Sequence, residues 1–503
     1  MNKPGLDIHI SDGIRTLVHI ENFSFTSHKI SFLFGESGIG KSMISKAIYG
    51  LLNPNELHIQ INGKEYREYL NFQVTKQIRQ NGFFVFQEPS SHLNPLFKIG
   101  NQLNEGSINQ NLNEESILQH LWDTNNDEAI RKILNIYPRP YRPSGGEKQR
   151  ILLAMAFKKI NLALKNPEVS SSNLFIFDEP TGSLDNHFRN LFLDLLFDKF
   201  YRQPFTSLFI THDYSIISEV INRHKDQIDR VDFKELTRSG SGKVSLDYFS
   251  PNEYISWLDH MKHSKGYVPG IQSIKSPVLQ IKKQFRVFER DYTIYKDADF
   301  IEAADLIIAK GEMVYLRAGS GVGKTTLAKI IMGLLSADQF YFEISGLKFS
   351  EITKIKNWKR TIWGKKIGMV FQHADEALNL EATIKESLEG LKSKHLRGNF
   401  LRSKLSELFE DNIDENFLSK QVKYLSGGQK QRLNLVRTLA LDVDLIILDE
   451  PLNGLDFISI QKTLEWLKEK QASGKSFLII SHNEEIFENL IDSNRTYFLN
   501  YKQ

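Results

Sequence analysis

The chain carries the same ordered set of short motifs twice, once in each half. Each set starts with a glycine-rich segment that ends in lysine and a hydroxyl residue, and continues with Phe-Gln, Ser-Gly-Gly, Asp-Glu-Pro and finally a histidine. The lysine and the Ser-Gly-Gly serine are 103 residues apart in the first half (41 to 144) and 102 apart in the second (324 to 426). Because order and spacing both repeat, the sequence predicts an internal duplication of one domain.

Each glycine-rich segment lies between a β-rich apolar run and a helix-compatible stretch,. In such a loop, successive backbone N–H groups can point at phosphate oxygens, and glycines leave the approach open. We expect Lys41 and Lys324 to neutralise the β and γ phosphates of ATP, because lysine at this position reaches those phosphates. A plain strand-to-helix turn is the alternative, and two occurrences in matched context argue against it. The predicted nucleotide-binding residues are Gly35, Glu36, Ser37, Gly38, Ile39, Gly40, Lys41 and Ser42, and Ala318, Gly319, Ser320, Gly321, Val322, Gly323, Lys324 and Thr325.

An acidic pair ends an apolar strand in each half. The aspartates suit direct or water-mediated binding of Mg²⁺ together with the loop hydroxyls, and the adjacent glutamates suit polarising the attacking water. A histidine that follows the next strand suits contact with the γ phosphate. An ordinary acidic turn and a structural histidine are the alternatives, which the repeated spacing disfavours. These candidates are Asp178, Asp449, Ser42 and Thr325 for the metal, and Glu179, Glu450, His212 and His482 for catalysis.

The pattern of strands and helices predicts the fold class. Apolar runs that alternate with helix-compatible segments are typical of a buried, largely parallel sheet. Polar residues at the carboxyl ends of such strands lie where open α/β sheets bind ligands. The expected fold is therefore α/β, with two tandem P-loop NTPase domains, each built on a mostly parallel sheet.

Domain boundaries follow from the repeat and from turn-forming residues. We expect a first ATPase domain over residues 1–225, an appendage and linker over 226–277, and a second ATPase domain over 278–503. The first copy is about eleven residues longer between its Ser-Gly-Gly and Asp-Glu motifs, and the composition of residues 160–173 predicts a surface loop there,.

Composition excludes several classes of protein. A net charge of +3 does not demand nucleic acid or an acidic lipid surface, and the absence of cysteine excludes a disulfide framework,. The first ten residues lack the pattern of a signal peptide,. No apolar run approaches the roughly 20 residues that a membrane helix needs. We therefore expect a membrane role to depend on partner subunits.

The Ser-Gly-Gly segments each open a helix, where a serine hydroxyl and helix-start amides form a second anion site. A simple helix cap is the alternative, and local evidence favours it. The whole set of motifs, however, resembles the ATP-binding cassette (ABC) ATPases, whose signature motif corresponds to Ser144, Gly145 and Gly146 and to Ser426, Gly427 and Gly428. The resemblance covers nearly the whole chain, and it identifies Gln87 and Gln372 as Q-loop residues with catalytic and metal-binding roles.

This resemblance implies more than the motifs do individually. It implies a helical subdomain that carries each signature, and a head-to-tail sandwich in which each ATP lies between the phosphate loop of one domain and the signature of the other. Lys41 would then face Ser426, and Lys324 would face Ser144. Both composite sites keep their lysine, aspartate, glutamate and histidine, so we expect two competent sites.

The segment after the first Q-loop distinguishes branches of the family. Leu93-Asn94-Pro95, followed by Ile99-Gly100 and Gln102, resembles the peptide and nickel importer ATPases, in which this region abuts the permease. The resemblance implies an importer of peptides, nickel or metal chelates, powered by ATP and Mg²⁺. Its partners would be two transmembrane permease subunits and a substrate-binding protein, and its place the cytoplasmic face of the cell membrane.

Two other readings remain open. Fused sugar-importer and energy-coupling-factor ATPases also join two cassettes in one chain, but they lack the Leu-Asn-Pro stretch. Soluble ABC ATPases of the ribosome show Thr-Asn-His-Leu-Asp after the catalytic glutamate, whereas Thr181-Gly182-Ser183-Leu184-Asp185 stands here.

Overall fold

The chain divides into two compact units, residues 1–252 and 253–503. The structure is a computed structural model, and it describes residues 5–89, 92–104, 114–135, 143–165, 173–182, 184–238, 243–263, 277–319, 321–389, 391, 398–409 and 413–501. Every helix in these ranges is too short or too polar to span a membrane.

The first unit alternates strands and helices along the chain. Its strands are β1 (Leu6–Ser11), β2 (Thr16–Phe23), β3 (Ile30–Gly35), β4 (His58–Ile61), β5 (Lys64–Glu65), β6 (Phe83–Val85), β7 (Phe175–Asp178), β8 (Ser207–Ile210), β9 (Val231–Arg238) and β10 (Val244–Tyr248). Its helices are α1 (Lys41–Tyr49), α2 (Tyr66–Asn71), α3 (Gln73–Asn81), α4 (Ile99–Asn104), α5 (Glu114–Trp122), α6 (Asp127–Leu134), α7 (Gly145–Leu164), α8 (Asn186–Arg202) and α9 (Ser215–Arg223). α10 (Pro251–His263) begins at the boundary between the units.

Over the described residues, the strands of the first unit form one sheet in the order β5-β4-β1-β2-β10-β9-β3-β8-β7-β6. The part from β9 to β6 is parallel, and β3 lies near its centre between β8 and β9. All six residues of β3 are buried, because helices cover both faces of a parallel sheet and both faces must be apolar,. The expected parallel core is confirmed.

The second unit repeats this arrangement. Its strands are β11 (Leu279–Ile281), β12 (Gln284–Val287), β13 (Arg290–Tyr295), β14 (Leu306–Ile308), β15 (Met313–Arg317), β16 (Tyr341–Ile344), β17 (Leu347–Ser350), β18 (Ile367–Val370), β19 (Leu445–Asp449), β20 (Ser476–Ile480) and β21 (Thr496–Tyr501). Its helices are α11 (Lys324–Ile331), α12 (Ile355–Asn357), α13 (Ile384–Leu388), α14 (Gly398–Phe409), α15 (Glu415–Ser419), α16 (Gly427–Leu439), α17 (Phe457–Ala472) and α18 (Glu484–Leu490). Within the described residues, the larger sheet has the order β12-β13-β21-β15-β20-β19-β18, with a parallel core from β21 to β18.

Residues 226–277, expected from the sequence to form an appendage and linker, contain two strands of the first sheet. β9 pairs in parallel with β3 from Val231 to Leu236, so the first fold extends beyond residue 225. Charged residues at Asp232, Lys234 and Glu235 interrupt its apolar pattern and conceal a strand that tertiary pairing stabilises,. The linker predicted for residues 264–276 lies outside the described residues.

The length difference between the copies lies partly in a helix. α7 has 20 residues and α16 has 13, so the longer first copy extends the signature helix to Leu164. This differs from the loop expected over residues 160–173. The Lys-Asn-Pro and Ser-Ser segments expected to form that loop fall mostly within residues 166–172, outside the described residues.

Candidate functional site

The first glycine-rich loop joins β3 to α1 and holds its lysine in a buried position. Gly40 caps α1 with φ of 113°, a left-handed conformation that glycine adopts without steric cost,. The Lys41 ammonium donates hydrogen bonds to the carbonyl oxygens of Gly35 (2.5 Å) and Glu36 (3.0 Å). Burial lowers the pKa of Lys41, and the carboxylates of Glu179 and Asp178 oppose that change. The ammonium is therefore aimed into its own loop, where phosphate oxygens would lie.

The second loop holds its lysine in a similar way. Gly323 caps α11 with φ of 113°, and the Lys324 ammonium donates to the carbonyl oxygens of Ala318 (2.5 Å) and Gly319 (3.5 Å). Of the predicted phosphate-binding residues, Ser320 lies outside the described residues.

The first residue of the loop differs between the copies, and backbone geometry explains the tolerance. Gly35 has φ of 136°, and a Cβ at this position would stand 2.7 Å from the carbonyl oxygen of Leu236 in β9. Ala318 is not among the residues with positive φ. Alanine is thus compatible with the second loop and strained in the first.

We expect Gly35→Ala to destabilise the first unit by about 2 kcal/mol, from a positive φ and a clash with backbone. The apparent Kd of the first site for ATP should rise as the loop shifts. Urea unfolding and titration with a fluorescent ATP analogue measure the two effects. Ala318→Gly is the matched control and should cost less than about 1 kcal/mol. Equal losses in the two variants would contradict this explanation.

A hydroxyl and a carboxylate meet beside each loop. Ser42 Oγ donates to Asp178 Oδ1 (2.8 Å), and Thr325 Oγ1 donates to Asp449 Oδ1 (3.2 Å). Burial raises the pKa of both aspartates to about 6. Asp449 Oδ2 is buried without a hydrogen-bond partner among the described residues. Hydroxyl and carboxylate oxygens, with one lone pair site still open, fit the hard-cation chemistry of Mg²⁺, which takes few protein ligands and shares substrate phosphates.

The glutamate after each aspartate has a strained backbone. Glu179 has φ of 48° and Glu450 has φ of 50°. A non-glycine residue in this region costs on the order of 1–3 kcal/mol, and such strain clusters at functional sites. The same strain recurs at the same position in both copies, which supports a functional reason for it.

The carboxylate of Glu179 contacts the first Q-loop and the first histidine. Gln87 Nε2 donates to Glu179 Oε2 (2.8 Å), and His212 Nδ1 lies 3.3 Å from Glu179 Oε1. Burial acts to raise the pKa of Glu179, but the charge and hydrogen bond of His212, with Lys41, outweigh it and lower that pKa to about 2. Burial acts to lower the pKa of His212, and Glu179 reverses this, so the pKa is raised. The pair favours an ionised glutamate beside a protonated histidine.

Glu450 is held differently. Ser481 Oγ and the backbone N–H of His482 both donate to Glu450 Oε2, each at 3.0 Å, and His482 Nε2 lies 3.5 Å from Oε1. Burial raises the pKa of Glu450 to about 7, against the hydrogen bond from His482. Gln372 follows β18 at the position equivalent to Gln87 and is half-buried. In each unit, the loop lysine, aspartate, glutamate and histidine therefore lie at one edge of the sheet.

The Ser-Gly-Gly serines cap their helices. Ser144 Oγ accepts from the N–H of Glu147 (3.3 Å), and Ser426 Oγ accepts from the N–H of Gln429 (3.1 Å). Gly145 and Gly146, like Gly427 and Gly428, occupy the first turn of α7 and α16. The helix cap favoured by local sequence is present, and its role as an anion site remains a prediction. Helices α4 to α7 and α13 to α16 lie between sheet strands in each chain half, as expected for a helical subdomain.

Sequence reasoning missed residues that support the second site. Tyr292 lies against the loop, since a Cβ on Gly323 would be 3.2 Å from its ring. Ser481 and Tyr315 also escaped notice, because a serine before a histidine and a strand tyrosine carry no motif. A residue-by-residue comparison of the two copies could have found them, because the first copy has Phe32 at the position of Tyr315 and Thr211 at the position of Ser481.

Comparison with known proteins agrees with this arrangement. The family model described as ABC transporter matches residues 18–182 and 301–453. The peptidoglycan transport ATP-binding protein YejF of Agrobacterium fabrum is 26% identical, over 96% of this chain and 88% of that protein. The glutathione import ATP-binding protein GsiA of Escherichia coli is 25% identical, over 96% and 82%. A solved RNase-L Inhibitor structure has a TM-score of 0.59 at 16% identity, over 98% of this chain and 89% of that one, and shows the fold alone.

Two α/β units, each with a phosphate loop, an aspartate, a strained glutamate and a histidine at one sheet edge, define a tandem P-loop ATPase. The chain belongs to the ABC transporter family, as an ATP-binding protein with two fused copies of the ATP-binding domain.

Proposed function

We propose that this chain is the ATP-hydrolysing subunit of a membrane importer for peptides. It would act at the cytoplasmic face of the cell membrane with two permease subunits and a substrate-binding protein. The observation that supports hydrolysis best is the strained glutamate beside the phosphate loop, repeated in both units. Peptides are favoured over nickel or metal chelates, because two of the relatives are named for glutathione import and peptidoglycan transport.

The residues divide the chemistry among them. Backbone N–H groups and the lysine of each loop would bind the phosphates of ATP and orient the γ phosphate. Mg²⁺, held by Ser42 and Asp178 or by Thr325 and Asp449, would neutralise phosphate charge when bound. Glu179 and Glu450 would accept a proton from the attacking water, with Gln87 and Gln372 beside the metal and water. His212 and His482 would stabilise the charge that develops on the transferred phosphoryl group.

Each ATP would complete its site with the signature of the other unit. In this proposal the helix starts at Ser144 and Ser426 act as anion sites, Ser144 toward the ATP on Lys324 and Ser426 toward the ATP on Lys41. Because the two units are joined in one chain, each would be present at a high effective concentration for binding the other. ATP-driven closure and reopening would then be transmitted to the permeases.

The Leu-Asn-Pro stretch supports the permease contact. Gln102 fixes this loop: its Oε1 accepts from the N–H of Asn94 (2.8 Å), and its Nε2 donates to the carbonyl oxygens of Asn94 (2.9 Å) and Phe97 (3.0 Å). The loop displays Leu96 (72% exposed) and Phe97 (53% exposed). Exposed apolar side chains on a fixed loop suit a protein interface.

A groove of about 550 Å³ lies beside this loop in the first unit. Aromatic and aliphatic side chains line it, together with Arg79 and Lys159 and with His92, Asn94 and Gln102 of the loop region. This chemistry suits a short amphipathic permease helix that carries an acidic residue. In the second unit the position of Leu96 is taken by Glu381, which pairs with Lys423 (2.6 Å), so the two units would present different surfaces.

Leu96→Asp is expected to reduce association with the permease by at least about tenfold, because a charge replaces an apolar contact. Basal ATP hydrolysis by the isolated chain should not change. Binding of the variant to permease-containing vesicles is the measurement. Tyr201→Asp is the control, since Tyr201 is equally exposed (72%) on α8. Undiminished binding of Leu96→Asp would place the permease contact elsewhere.

Affinity purification from native membranes tests the function itself. Co-purification of permease subunits supports the proposal, and ribosomes without a permease would reject it in favour of a ribosomal ATPase. Permeases that carry sugars or vitamins would instead support the fused sugar-importer or energy-coupling-factor alternative.

A further inference from the structure

The two catalytic glutamates differ in the element that holds them. Glu179 is held by Gln87 from the Q-loop after β6 and by the ring of His212. Glu450 is held by the residues that follow β20, through the Ser481 hydroxyl and the His482 amide. The two glutamates occupy the same place in the repeat and have nearly the same φ (48° and 50°), and their carboxylates differ in their hydrogen-bond partners.

A short polar chain extends behind Glu450. Tyr315, fully buried in β15, donates from its hydroxyl to the carbonyl oxygen of Ser481 (2.9 Å). Ser481, 2% exposed, donates to Glu450 and accepts from the backbone N–H of Asn483 (3.1 Å). Because the Ser481 hydroxyl accepts from the N–H of Asn483, its own proton is directed at the carboxylate of Glu450.

The first unit has different residues at the positions of Tyr315 and Ser481. Phe32 replaces Tyr315 and packs against Phe209 and Phe233. Thr211 replaces Ser481, and its hydroxyl accepts from the backbone N–H of Asp213 (3.0 Å).

We propose that Ser481, supported by Tyr315, is a positioning residue for Glu450 and acts in the second ATP site alone. The hydrogen bond from Ser481 to Glu450 Oε2 fixes the rotation of the carboxylate. Glu450 Oε1 then faces His482 and the water that Glu450 would activate. A freely rotating carboxylate would present the accepting oxygen in the correct place for a smaller fraction of the time. This inference rests on the proposed role of Glu450 as the catalytic base.

The test is steady-state ATP hydrolysis by the full chain. In a Glu179→Gln background, where the second site supplies the turnover, Ser481→Ala should lower kcat roughly tenfold, as expected for loss of a hydrogen bond to a charged group. KM should stay the same, because Lys324 and Thr325 are unchanged. Ser481→Thr restores the hydroxyl and should restore kcat. If Glu179→Gln has no turnover because the sites depend on each other, the same tenfold fall is expected in the otherwise wild-type chain.

Two further variants separate positioning from general damage. Tyr315→Phe, which installs the side chain type of the first unit, should lower kcat about two- to fivefold with unchanged KM. Thr211→Ala, made in the otherwise wild-type chain and in a Glu450→Gln background where the first site supplies the turnover, is the matched control and should retain the kcat of its parent. The inference is overturned if Ser481→Ala retains kcat in both backgrounds, if Thr211→Ala falls as far, or if KM alone changes. Full turnover by Glu179→Gln/Glu450→Gln would instead reject the assignment of the glutamates themselves.

Discussion

The Glu179→Gln/Glu450→Gln double variant is expected to hydrolyse ATP at least about 10²-fold more slowly than the wild-type chain, because it loses both of the proposed general bases. ATP binding should persist, since both phosphate loops are intact and glutamine is nearly isosteric with glutamate. Phosphate release and ATP retention by the purified chain measure the two effects.

Single variants test whether both sites work. Glu179→Gln and Glu450→Gln should leave similar residual activities, and a sharp difference between them would contradict two equally competent sites. Glu289→Gln is a suitable control, since Glu289 has φ of 63° at the turn between β12 and β13 and is not part of either site. It should retain full activity.

Double variants that combine a substitution of a loop lysine with a substitution of a signature serine are expected to show which loop works with which signature. In the proposed head-to-tail arrangement, Lys41→Ala with Ser426→Arg would damage a single composite site and would leave the site of Lys324 and Ser144 intact. Lys41→Ala with Ser144→Arg damages both. In the double glutamine background, the first combination should retain one tightly bound ATP per chain and the second should retain none, since loss of charged phosphate contacts lowers affinity by about 10²-fold or more.

The two combinations also control for each other. Both remove one loop lysine and one helix cap, and a cap costs about 1 kcal/mol of stability wherever it is lost. A difference in retained ATP therefore reports pairing and not folding. The reverse result, with ATP retained only by Lys41→Ala with Ser144→Arg, would show that each loop works with the signature of its own unit.

Much of the fold could be predicted because its signals are local. The apolar runs before Lys41 and Lys324 become β3 and β15, and the helices begin at the lysines themselves. Strands that end at Asp178 and Asp449 also lie where expected. When a strand is apolar on both faces and ends at a polar residue, a few adjacent residues are enough to predict its burial and its boundary.

Other elements could not be predicted because their stability comes from distant partners. β9 is half charged in sequence and becomes a central strand only by pairing with β3, about 200 residues earlier in the chain,. The extension of α7 to Leu164 likewise exceeds what the repeat implied. The tolerance for Ala318 depended on a backbone angle that no residue type specifies.

The sequence by itself determined that two ATP-binding domains of one family stand in this chain. It also predicted the lysines, aspartates, glutamates and histidines that the structure brings together in each unit, because residue type, order and spacing repeat between the two copies. The tertiary structure alone decided how each glutamate is held. Gln87 reaches Glu179 across 92 residues of chain, and Ser481 reaches Glu450 across 31. Such bonds depend on which strand ends lie next to each other in the sheet, so the glutamates in the two copies of the motif have different hydrogen-bond partners.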